Sequence, residues 1–155
     1  MQSLAGVWQL AETDAEEQTD RAIADVTGQM SFFARGFANA RIDEAVNPDE
    51  RVRIEPAGDD IVVAVGRGRP VRLVPNGPAV RGTGADGQPL RARAILRGDA
   101  LSIEEETERG TRILTLRPRG DALVVTTRIR SERLPDDIVY DLRYRRAGAG
   151  EVARR

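Results

Sequence analysis

Residues 90–131 hold four consecutive segments in which apolar and polar side chains alternate, and this pattern restricts the chain to an antiparallel meander. The segments are 90–98, 100–108, 111–117 and 121–131, joined by Gly98-Asp99, Arg109-Gly110 and Arg119-Gly120. Two-residue loops at these joins set Leu96 against Leu101, Ala94 against Ile103, Leu114 against Glu105 and Leu116 against Leu123, all on one face. The other face sets Arg93 against Glu104 and Arg91 against Glu106, which are favourable cross-strand pairs. A slip of one residue would turn every apolar side chain to water, so agreement on both faces decides which side is buried. A long meander with one apolar face rolls up to remove its edges. The expected fold is mainly β: an antiparallel up-and-down β-barrel of eight to ten strands.

The rest of the chain extends this pattern. Residues 4–10 (LAGVWQL) read as the first strand. Thr13 and Glu16 fit a capping box, and Ala22, Val26, Met30, Phe33 and Phe37 follow at helical spacing. One long α-helix, about 14–46, is therefore expected after the first strand, with Asn47-Pro48 as its latest end. Further strands are expected at 51–55, 60–66, 70–74, 79–82 and 138–145, separated by glycine, proline and Asx turns. Counting directions, the helix and the loops at 66–69, 82–87, 108–110 and 131–137 gather at one end. Residues 1–147 read as one barrel domain and 148–155 as a disordered polar tail.

Composition excludes several chemistries. The 155 residues include no cysteine and no histidine, which removes disulfides, thiolate nucleophiles, Cys/His zinc sites and histidine-based triads. A formal net charge of −1 is not the footprint of a nucleic-acid binder, although all 24 basic residues are arginine. No apolar run is long enough to cross a bilayer as a helix. The chain starts Met1-Gln2-Ser3 and enters a strand pattern at once, so no signal peptide is read. Gly66-Arg67-Gly68-Arg69 has no aromatic interleaving and reads as a hairpin loop. Alternation sends Glu104 and Glu106 outward to arginines, so no metal and no cofactor is expected.

Gly6-Val7-Trp8 in the first strand, followed by a meander, resembles the G-x-W signature of lipocalins and the wider calycin group. LAGVWQL, the long helix, the DG-type turns and the closing run from Ser131-Glu132-Arg133-Leu134-Pro135 to Tyr140-Asp141-Leu142-Arg143-Tyr144 resemble uncharacterised exported bacterial lipocalin-like domains. The resemblance covers most of residues 4–146. It implies a barrel, an exported origin (periplasmic or secreted), a small-molecule site and no particular reaction. It also implies a basic residue of the last strand packed on the motif tryptophan, a role that Arg143 or Arg145 would fill. Lipocalins carry their helix after the barrel, whereas this chain carries it after strand one.

Carried through the last strands, the register aligns Thr107, Arg112, Thr127 and Tyr140 in one inward row, with Glu105 diagonal to Arg112. An inward charge among Leu, Ile, Val and Ala needs a partner, and Glu105 with Arg112 supplies one. A few convergent polar groups in an apolar cavity are the usual anatomy of a small-molecule site. The same residues could instead be solvated at the rim. Met30, Phe33 and Phe37 would either buttress the core or form a lid that contacts the ligand. Trp8 reads as core that closes the barrel. The expected function is non-enzymatic binding of a small apolar or amphipathic molecule. The alternatives are a lipocalin-fold cyclase or isomerase using Glu105 as acid or base, and a structural envelope-associated barrel filled by its own side chains. A carboxylate paired with arginine is a poor base, which argues against the enzyme.

Overall fold

The computed structural model describes residues 3–11, 14–28, 51–66, 69–84 and 87–147. Ten described strands make one sheet: β1 (Gly6–Leu10), β2 (Arg51–Ala57), β3 (Asp60–Val65), β4 (Val71–Leu73), β5 (Val80–Thr83), β6 (Pro89–Arg97), β7 (Ala100–Thr107), β8 (Gly110–Arg119), β9 (Ala122–Arg130) and β10 (Ile138–Arg146). One described helix, α1 (Ala15–Thr27), follows β1. The strand order is β4-β3-β2-β1-β10-β9-β8-β7-β6-β5, so the first and last strands meet and only β4 and β5 remain as edges. Every paired strand runs antiparallel to its neighbour.

The seam between those edges is bridged by the segment that follows β4. The Asn76 N–H donates to the Ala94 carbonyl at 2.8 Å. The Leu96 N–H donates to Asn76 Oδ1 at 3.0 Å. Asn76 reaches β6 directly, past the four-residue β5, with its backbone at φ 64. Asparagine tolerates that left-handed conformation better than most side chains do. The result is a nearly closed ten-stranded barrel with one helix after the first strand, the architecture that the alternation predicts.

Three hairpins share one loop chemistry. Gly58-Asp59, Gly98-Asp99 and Gly120-Asp121 lie between the pairs Ala57↔Asp60, Arg97↔Ala100 and Arg119↔Ala122. Their glycines have φ of 67, 61 and 61, the positive value that a primed two-residue turn requires at its first position. These turns lie at one end of the barrel. α1 and the connections after β3, β5, β7 and β9 lie at the other end.

Register agrees with the sequence reading for β6–β7 and for the Thr127↔Tyr140 pair of β9–β10, and differs by two residues at β7–β8 and β8–β9. Leu96↔Leu101, Ala94↔Ile103, Arg93↔Glu104 and Arg91↔Glu106 pair as expected, and Arg93 Nε bonds Glu104 Oε2. Leu114 faces Ile103, not Glu105, and Leu116 faces Val125, not Leu123. The cause is turn placement. Glu108-Arg109 forms the β7–β8 loop, and Gly110 is already in the strand, opposite Thr107. A shift of two preserves facing, so the inward side survives: Leu101, Ile103, Leu114, Leu116, Leu123, Val125, Leu142 and Tyr144 are all buried.

Two other expectations are corrected. α1 buries Ala15, Thr19, Ile23, Val26 and Thr27, so its core stripe is centred on Ile23 and leaves Ala22 at the margin. Thr27 Oγ1 donates to the Ile23 carbonyl at 2.9 Å, which lets a threonine sit on the buried face. The N-cap is Asp14, which makes no side-chain cap bond; Thr13 and the proposed helix beyond Gly28 lie outside the described residues. The residue on the motif tryptophan is Arg146, not Arg143 or Arg145, which point outward and are exposed. The Arg146 guanidinium lies 4.3 Å from the Trp8 ring and donates to the carbonyls of Ala5 (2.8 Å) and Ser3 (3.0 Å). Trp8 Nε1 donates to the Leu4 carbonyl at 2.9 Å. Leu4 and Trp8 are almost wholly buried, so this cluster stoppers the end of the barrel that carries the Gly-Asp turns.

Candidate functional site

The interior is built from alternate residues of the long strands. Val52 and Val65 come from β2 and β3, Leu114 and Leu116 from β8, Val125 and Thr127 from β9, and Tyr140, Leu142 and Tyr144 from β10. These nine side chains line a cavity of ≈ 10 Å³, which is room for about one water. The wall is aliphatic except for one threonine and two tyrosines.

Thr127 and Tyr140 are direct cross-strand partners, 4% and 9% exposed. Their row also holds Ile103 and Leu114. Two residues nearer the helix end, about 7 Å along the strands, lies the row Ala92, Glu105, Arg112, Ile129 and Ile138. Glu105 and Arg112 are therefore directly opposed, not diagonal as the earlier register implied. Arg112 Nη2 donates to both Glu105 carboxylate oxygens, at 3.0 and 3.3 Å. The two side chains are 17% and 26% exposed, so the pair is neither sunk in the core nor free at the rim.

Four of the sequence-derived site residues, Glu105, Arg112, Thr127 and Tyr140, thus share the inner face of adjacent strands, in two rows rather than one. Thr107 belongs to neither. It is exposed at the β7–β8 turn, where its hydroxyl donates to the Gly110 carbonyl at 3.3 Å. Met30, Phe33 and Phe37 lie outside the described residues. Of the nine wall residues the sequence reading chose only Thr127 and Tyr140 for the site; it set Leu114 and Leu116 on the apolar face without assigning them to the site, and it left out Val52, Val65, Val125, Leu142 and Tyr144. No group of three or more potential metal-ligating side chains occurs among the described residues.

The fold is a nearly closed barrel of ten antiparallel strands with an apolar bore and a helix after strand one. Among solved structures it is similar to fatty-acid-binding protein 1 of Echinococcus granulosus, with TM-score 0.59 and 11% identity over 96% of this chain and 100% of that one. It is also similar to zebrafish ileal bile acid-binding protein complexed with cholic acid, with TM-score 0.58 and 13% identity over 94% and 99%. A secretory abundant heat soluble protein from Ramazzottius varieornatus gives TM-score 0.63 and 11% identity over 94% and 96%. No family model matches the sequence, and a search of curated proteins finds no relative.

Proposed function

We propose that this chain binds a small apolar or amphipathic molecule inside the barrel, without chemistry on it. The observation that carries the reading is the inner wall: six of the nine cavity-lining residues are aliphatic, its polar groups are Thr127, Tyr140 and Tyr144, and the Glu105–Arg112 pair lies one row beyond Thr127 and Tyr140. Burial of alkyl surface would drive association at about 25 cal/mol per Å², and the polar rows would orient the ligand. Two of the similar structures are named for binding fatty or bile acids, which supports a lipid-like ligand here. An exported origin belongs to the same proposal, supported by the resemblance of LAGVWQL and the closing segment. Met30, Phe33 and Phe37 belong to it as candidate ligand contacts.

One observation favours a second reading, the barrel filled by its own side chains. The cavity holds about one water in the present conformation. On the first reading, uptake is therefore coupled to displacement of inward side chains. Native mass spectrometry of protein purified under gentle conditions separates the two. A ligand carrier shows one apolar adduct per chain that organic extraction removes and added lipid restores. A bare chain that takes up no lipid is the filled barrel.

A further inference from the structure

We infer that the barrel selects ligands whose polar end is neutral, such as an alcohol, ester or amide, over carboxylates of the same chain length. This rests on the ligand-binding reading and adds the chemical class of the head group.

The argument is one of charge balance. Among the described residues, the inward face carries three charged side chains: Glu105, Arg112 and Arg146. Arg146 is committed at the opposite end of the barrel, stacked on Trp8 and bonded to two backbone carbonyls. Arg112 is bonded to both oxygens of Glu105. The inward cation of β8, two residues from the wall residue Leu114 on the same face, is thus already neutralised by a carboxylate of the protein itself. A carboxylate ligand arriving there would place a second anion beside Glu105 on a single guanidinium, in a half-dry site. Like charges sharing such a site repel, and an uncompensated buried charge is strongly unfavourable. A hydroxyl or ester adds no charge and needs only donors and acceptors of the kind that Thr127 and Tyr140 present one row deeper. Glu105 then acts as a selectivity residue: it occupies the position that an acidic ligand would need.

The test compares two probes that differ only in the head group, dansylated undecanol and dansylated undecanoate, titrated into the full chain and followed by dansyl emission. Wild-type protein should bind the alcohol at least about tenfold more tightly. Glu105→Gln keeps the side-chain shape and leaves Arg112 with net positive charge. It should tighten undecanoate binding by about tenfold while changing the alcohol by less than about twofold. The double variant Glu105→Gln/Arg112→Gln should regain the alcohol preference. Equal binding of the two probes by wild type overturns the inference, as does a folded Glu105→Gln variant that gains nothing for the acid. If Glu105→Gln does not fold, the wild-type comparison decides by itself. Failure of both probes to bind wild type overturns the carrier reading instead, an outcome distinct from loss of selectivity.

Discussion

Breaking the Glu105–Arg112 pair from either side should give unequal losses of stability, and the inequality follows from the geometry. A fully buried pair that loses one partner costs about 3–5 kcal/mol, whereas an exposed pair is worth about 0–1 kcal/mol. At 17% and 26% exposure this pair lies between, so Arg112→Leu should cost about 1–3 kcal/mol by leaving the less exposed carboxylate without its cation. Glu105→Gln should cost less, about 0.5–1.5 kcal/mol, because the amide still accepts a bond from Nη2 and the arginine stem can carry its charge toward water. Urea unfolding of both single variants and the double variant gives the coupling energy directly. A coupling of about 1 kcal/mol or more is expected. Coupling near zero, with equal small losses for both singles, would mean that the pair is solvated at the rim and that the register of β7 and β8 does not place it inside.

Three further outcomes are expected. Arg146→Ala should destabilise by about 1–3 kcal/mol through loss of two bonds to carbonyls and the stack on Trp8, with the tryptophan emission shifted to the red; an unchanged midpoint and spectrum would refute the stopper. Asn76→Ala should cost about 1–2 kcal/mol, and Asn76→Gly less, since glycine keeps the left-handed backbone and loses only the two side-chain bonds to Leu96; equal losses in thermal unfolding would contradict this. Asp137 accepts from Arg128 at 2.8 Å and lies beside Arg130, and these guanidiniums hold its carboxyl below its ordinary value of 3.8. A depressed folded-state value gives stability that is present above 3.8 and lost as the pH falls through the folded value. Asp137→Asn should therefore be less stable than wild type at neutral pH, with the difference shrinking below pH 3.8; a difference independent of pH would dismiss the pairing.

The inward face was legible because alternation has a period of two and survives errors of two. Gly-Asp at 58–59, 98–99 and 120–121 was a consistent loop signal that, applied throughout, would have set β8–β9 correctly. Gly110 misled for a physical reason: it is needed in the strand, where a β-carbon would come within 2.2 Å of the Arg130 carbonyl oxygen. Arg146 was one step beyond the alternation Ile138, Tyr140, Leu142, Tyr144, and extending that face would have found it. The α1 stripe was read incompletely: Val26 is buried and Ala22 packs at the margin of the core, but the neighbouring Ile23 and the polar Thr19 and Thr27, all buried, lie off the chosen spacing. The Asn76 seam was not legible, since an Asn-Gly pair reads as a turn and nothing in it announces a partner twenty residues away. For the site, polarity on an apolar face picked out Glu105, Arg112, Thr127 and Tyr140, but not their division into two rows.

The central claim is that the ligand occupies the bore of the barrel, and methyl NMR during titration with dansylated undecanol tests it most directly. The account predicts saturable shifts for the inward methyls of Val52, Val65, Leu114, Leu116, Val125 and Leu142. Val74 and Val139, 46% and 41% exposed on the outside, should not move. Shifts confined to Val74 and Val139, or no saturable shift at any inward methyl, would contradict it and leave a barrel filled by its own side chains.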